Sequence, residues 1–254
     1  MKLAGDQIRT FHQQGYIIVE DLISTDDLAE LSTMVHKLLD GELKPEIKYN
    51  GEVPDDFYTF WEPGMNDRDD IPRRERIRLM SWMGYYHSYF WAFACHPNIH
   101  AVVSALFNDG VQLFGDTIFR KPARHGIESA SHQDLAFWPR LRPRSLKCWL
   151  AIDQATVENG CMYVIPGSHD AELSHHQHPV QTLLLTDEQI DVGRQVPIEL
   201  NPGSAIFFDS GVIHRSYPNR SDRSRRSWGT NYVAEHVEHL EPWTLDYRFK
   251  LIGP

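Results

Sequence analysis

The chain of 254 residues is 41% hydrophobic and 24% charged, with a formal net charge of −10. That apolar content suits a sizeable core in one domain, and the acidic balance argues against a nucleic-acid partner. No apolar run approaches the roughly 18 residues that span a bilayer, and the opening Met-Lys-Leu-Ala-Gly-Asp turns polar too soon for a signal segment.

A cytoplasmic protein without membrane contact is therefore expected. Cys95, Cys148 and Cys161 lack metal-type spacing and read as reduced packing residues.

In chain order, residues 5–13 predict a short helix and Tyr16 to Glu20 a strand. Ser24 or Thr25 can cap the next helix, where Leu28, Leu31, Met34, Val35, Leu38 and Leu39 recur at helical spacing. Residues 41–76 lose periodicity and mix Pro, Gly and acids with Tyr49, Phe57, Tyr58, Phe60 and Trp61. A loop of that length is usually functional, so a lid or pocket wall is expected there. From Ile77 to Phe107 the pattern reads as helical, broken at Pro97.

After residue 110 the character changes to short strands and turns. Val111 to Arg120 predicts a strand ended by Lys121-Pro122. Ser145 to Asp153 predicts another, with Lys147, Trp149, Ala151 and Asp153 on one face and Leu146, Cys148, Leu150 and Ile152 on the other. Cys161–Ile165, Gln195–Leu200, Ala205–Asp209 and Arg226–Ala234 follow as strands. Residues 171–195 read as a polar, irregular loop in which His175, His176 and His178 are solvated. The expected class is α+β with a mainly β core, a sandwich or barrel with flanking helices. One domain, 1–254, is expected, its helical part at about 1–110 packed on a β core at about 111–235.

The residues that carry chemistry begin at Ser131-His-Gln-Asp-Leu-Ala-Phe-Trp138. In an extended segment His132 and Asp134 point to the same side. They supply two thirds of the two-histidine, one-carboxylate set that holds non-haem Fe(II) with positions left open. His214, at a strand end beside the small residues Ser210 and Gly211, is the best third ligand. A dicarboxylate co-substrate needs a buried guanidinium fork. Arg220, Arg223, Arg225 and Arg226 compete for that role. Alternation favours Arg225, which shares a face with the small residues Ser227, Gly229 and Asn231. Phe137 and Trp138 are either core or an apolar wall of the substrate pocket.

Taken together these segments resemble the phytanoyl-CoA dioxygenase family of Fe(II)/2-oxoglutarate-dependent oxygenases. The resemblance rests on His132-Gln-Asp-Leu135, Trp149-Leu-Ala-Ile-Asp153, Glu158-Asn-Gly-Cys161, Ile165-Pro-Gly-Ser-His169, Gly203 with Phe208, and His214-Arg-Ser216 with Asn219, Ser221 and Arg225. It implies a double-stranded β-helix, a cupin-like jelly roll. It implies that His132, Asp134 and His214 bind Fe(II), and that Arg225 pairs with the C5 carboxylate of 2-oxoglutarate. Ser216 looks like the hydroxyl that shares that carboxylate, and Trp149 like the ring lining its pocket. Lys121-Pro122 is similar to the family's Lys-Pro before the iron motif. His169 belongs to a structural turn, off the metal. Arg215 departs from the family, in which a small residue commonly follows the distal histidine.

The activity implied is hydroxylation of an unactivated C–H of a small organic metabolite, using O2 and releasing succinate and CO2. Asp134 argues against halogenation, since related halogenases carry a small residue in its place. The alternative is a cupin-like small-ligand binder or metal-dependent isomerase, because the jelly roll hosts many functions. Loops 41–76 and 171–195 are expected to select the substrate.

Overall fold

Alternation along two central strands sets the architecture, seen in a computed structural model that describes residues 2–46, 53–137, 145–180, 182–235 and the backbone of 249–251. On strand β6 (Ser145–Ala151) and strand β13 (Arg225–Ala234), every residue but Arg226 is buried, so both faces of the sheet are covered. Leu146, Cys148, Leu150, Trp228 and Tyr232 join a core beneath the helices. Trp149 and Ala151 join a second core that faces the other sheet. The inner face of β13 carries Arg225, Ser227, Gly229 and Asn231, as alternation requires.

The helices that cover the outer face come early. They are α1 (Gly5–Gln14), α2 (Thr25–Asp40), the short α3 (Arg73–Arg76) and α4 (Met83–Tyr86), α5 (Ser88–Ala94) and α6 (Pro97–Phe107). Ser24 caps α2 by accepting from the Asp27 N–H at 3.1 Å, and Gly41 ends it with φ +78°. Leu31, Val35, Leu38 and Leu39 form its buried stripe. Pro97 starts α6 rather than interrupting one long helix, since its missing N–H costs nothing at a first turn.

The large sheet adds β1 (Tyr16–Val19), β2 (Tyr58–Trp61), β3 (Ile77–Ser81), β4 (Val111–Lys121), β11 (Ala205–Asp209) and β14 (Phe249–Leu251). Its order is β1-β11-β6-β13-β4-β3-β2, with β14 also on β4. The smaller sheet runs β10 (Val196–Ile198), β7 (Met162–Val164), β12 (His214–Ser216) and β5 (Ser129–His132). The two sheets form the jelly roll, and the residues between them form the second core.

Three expectations are corrected. Ile77–Ser81 is a strand, because Leu79, Met80 and Ser81 pair with Phe119, Ile118 and Thr117 on β4. A short apolar run does not distinguish strand from helix by periodicity, and here the waiting edge of β4 decides. Residues 41–76 are likewise not all loop, since β2 lies within them and pairs with β3. The irregular stretch 171–195 also contains a hairpin, β8 (His176–His178) with β9 (Thr182–Leu184). Among the described residues no single helix is long and apolar enough to cross a membrane.

Candidate active site

His132 and His214 meet because they are cross-strand partners on β5 and β12. Their ring centroids lie 4.2 Å apart. Gln133 stays extended, and Asp134 opens a one-turn 3-10 segment, Asp134–Ala136, that turns its carboxylate toward the two rings. Asp134 Oδ1 lies 3.6 Å from His132 Nε2 and 3.7 Å from His214 Nε2. One ligand atom from each of the three residues falls within 4.8 Å of the others.

The tautomers are set from behind. His132 Nδ1 donates to the Ala130 carbonyl at 2.7 Å and His214 Nδ1 to the Val212 carbonyl at 3.0 Å. Each Nε2 therefore presents a lone pair to the shared centre, as metal-binding histidines do. Burial, then the neighbouring His132, pushes the His214 pKa down to about 3, so its ring is neutral. Burial alone would raise Asp134, but Lys147 and the two imidazoles outweigh it and hold the carboxyl well below its ordinary value. Two imidazole Nε2 atoms and an ionised carboxylate, all turned inward, fit a divalent cation.

A cavity of about 630 Å³ opens over this group and reaches Arg225, Trp149 and Ser216. Arg225 is 4% exposed, and its Nε is buried without a partner. Its guanidinium lies over the Trp149 ring, 5.0 Å from the centroid. Burial pushes its pKa down to about 10, still high enough to stay charged. A buried fork with an orphaned donor is what a carboxylate of 2-oxoglutarate would satisfy. The competing Arg226 points the other way, paired with Asp153 at 2.7 Å and with the Ser32 hydroxyl at 3.0 Å.

Lys121 frames the same end. Its Nζ donates to the carbonyls of Ile127, Ser216 and Tyr217 at 2.8, 3.3 and 2.6 Å, tying β4 to β12. Asn219 donates to the carbonyls of Lys121 and Arg223, and Ser221 bonds back to Asn219, which shapes the return to Arg225.

Phe137 packs edge-on against His132 at 5.8 Å and lines the cavity. Trp138 lies outside the described residues. Phe60, Trp61 and Pro63 from the early loop, and Pro179, Val180 and Thr182 from the β8–β9 hairpin region, line the cavity too. Arg215 is buried over the Tyr217 ring and pairs with Asp187 at 2.9 Å. His169 sits away from the centre, against the His12 carbonyl at 3.2 Å.

The histidine cluster needs a correction. His176 and His178 are exposed, but His175 is half-buried and accepts from the Gln133 N–H at 2.9 Å. Two further residues escaped the sequence reading. The Gln133 carboxamide donates to Ala171 and Gly211 carbonyls at 2.7 and 2.6 Å and accepts from the Leu173 N–H at 3.0 Å. Lys147 lies 2.6 Å from Asp134 Oδ2. Its signal was legible, since a lysine on the Trp149 face of a buried strand needs a partner.

A jelly roll that gathers two imidazoles and a carboxylate beside a buried guanidinium defines a class, the non-haem iron dioxygenases that use 2-oxoglutarate and O2. Within that class the chain belongs to the phytanoyl-CoA dioxygenase family, whose sequence model, Phytanoyl-CoA dioxygenase (PhyH), matches residues 11–227. It is 25% identical over 260 residues to phytanoyl-CoA dioxygenase domain-containing protein 1 of Bos taurus, covering 89% of this chain and 88% of that protein. The fold is shared with EvdO2 from Micromonospora carbonacea var. aurantiaca, at a TM-score of 0.72 and 23% identity over 98% of each chain. It is shared equally with EctD from S. alaskensis, solved with 2-oxoglutarate and 5-hydroxyectoine, at a TM-score of 0.72 and 23% identity over 97% of this chain and 84% of that one.

Proposed function

We propose that this dioxygenase hydroxylates an unactivated C–H bond of a small organic metabolite. The observation that carries the reading is the single cavity that holds His132, Asp134 and His214 at one point and Arg225 with Trp149 at another. In this reading the first three residues hold Fe(II) through His132 Nε2, Asp134 Oδ1 and His214 Nε2. Arg225 and Ser216 receive the C5 carboxylate of 2-oxoglutarate, and Trp149 covers its carbon chain. The bound iron supplies the redox chemistry by which O2 places one oxygen atom in succinate, with loss of CO2, and the other in the substrate C–H bond.

The remaining side chains position the substrate and keep water away. Phe137 forms a wall beside His132, and Phe60, Trp61, Trp82 and Phe114 continue an aromatic lining. That lining suits a molecule with substantial apolar surface. EctD, which shares the fold, is solved with a small hydroxylated molecule, in keeping with this substrate class. The free thiols of Cys95, Cys148 and Cys161 favour the cytoplasm. A non-catalytic binder or an isomerase that takes no 2-oxo acid has no use for the fork at Arg225.

Purified protein given Fe(II), 2-oxoglutarate and O2 should form succinate, and D134A should form none. Undiminished succinate from D134A would remove Asp134 from the ligand set.

A further inference from the structure

Alternation puts Lys147 on the inner face of β6, two residues from Trp149. A lysine buried there carries a large desolvation cost and requires a counter-charge. Asp134 Oδ2 provides it at 2.6 Å, with both side chains almost fully buried. The ammonium is aimed from two sides, lying 5.6 Å from the centroid of the Phe119 ring and 5.9 Å from that of Phe208. Phe208 is its register partner on β11. Gly229 leaves the room, since a Cβ there would fall 2.8 Å from Phe119 and 3.7 Å from Lys147 Cδ.

The two oxygens of Asp134 thus face different partners. Oδ1 faces His132 and His214, while Oδ2 faces Lys147. A carboxylate can give a cation one oxygen or both. On an octahedral ion, three single-atom ligands leave three positions, enough for a chelating 2-oxo acid and O2. A chelating aspartate would take one of them.

We propose that Lys147 is a positioning residue that holds Asp134 Oδ2 away from the metal, so that Asp134 binds through Oδ1 alone and the 2-oxo acid keeps its two positions. The proposal rests on the ligand assignment above. Lys147 acts here through Asp134 and needs no contact with either substrate.

The test uses Mn(II)-loaded protein without 2-oxoglutarate, in 17O-enriched water, where electron paramagnetic resonance line broadening counts bound waters. K147M should hold one water fewer than the wild type, because Asp134 then chelates. Anaerobic titration of the Fe(II) form with 2-oxoglutarate, followed by its visible charge-transfer band, should show binding weakened roughly tenfold or more in K147M. K147R, which keeps a cationic donor, should restore both values. An unchanged water count in K147M overturns the proposal even if 2-oxoglutarate binds more weakly, since Lys147 would then act on the co-substrate directly. If K147M does not fold, K147Q decides by the same two readouts. Failure of the wild type to bind Mn(II) would instead overturn the ligand assignment itself.

Discussion

Arg225 reaches back along its own strand to lie over Trp149, 5.0 Å from the ring centroid, although the backbone partner of Trp149 on β13 is Gly229. The glycine's missing side chain leaves that position to the Phe119 ring and the Lys147 stem, and the long arginine side chain reaches the Trp149 ring from four residues away along β13. The fork is buried, charged and without an ion pair among the described residues.

Replacing Arg225 by Gln should weaken 2-oxoglutarate binding by about tenfold to a hundredfold, the worth of a charge-assisted hydrogen bond. Metal affinity should hardly change. Stability should not fall, because the substitution removes a buried charge that has no direct counter-ion. Titration with 2-oxoglutarate and urea unfolding of the same sample check both parts.

Replacing Asp134 by Ala removes a ligand and also strands Lys147. In metal-free protein the buried ammonium then lacks its counter-charge, at a cost of about 3–5 kcal/mol. The double variant D134A/K147M should recover most of that loss. Chemical denaturation of the wild type, D134A and D134A/K147M measures the recovery. A double variant no more stable than D134A would mean that the pair contributes little.

Gln133 lies between the two ligands and binds three backbone groups, at Ala171, Leu173 and Gly211. Gln133→Ala leaves those groups unsatisfied and should cost about 2–4 kcal/mol. Amide hydrogen exchange should accelerate at 171–175, where the segment loses its anchor to the iron motif. Uniform exchange rates across that segment in the two proteins would contradict this role.

His175 accepts at Nε2 from Gln133 and donates from Nδ1 to the Leu173 carbonyl at 2.9 Å, so only its neutral form fits. Burial lowers its pKa, and burial lowers that of His214 further, to about 3. The unfolded chain takes up these protons near pH ~6.5, before the folded chain does. Their contribution to stability is full above that pH and is lost as the pH falls toward the folded values. Metal-free protein should thus lose stability from pH 7 downward, and H175Q should flatten part of the slope. Urea midpoints across pH 7 to 4 test the sign.

Much of this was open to local reading. Alternation alone groups Trp149 with Lys147 and Ala151, and Arg225 with Ser227, Gly229 and Asn231, and the structure keeps those groupings; Asp153, grouped with Trp149, instead lies past the end of β6 and pairs with Arg226. The α2 stripe and the Pro97 break are equally local. Family resemblance joined His132, Asp134 and His214 before any coordinates did, and the structure brings those atoms together.

What the sequence by itself determined is which residues share a face and which residue types could meet a metal or a carboxylate, because a strand repeats every two residues whatever its neighbours. Only the tertiary structure decided which strands lie side by side. That choice made Ile77–Ser81 a strand, set His214 opposite His132, tied Gln133 to 171–173 and 211, and brought Lys147 onto Asp134 Oδ2. Pairings between distant segments depend on register and on what packs behind each sheet, and no local period encodes either.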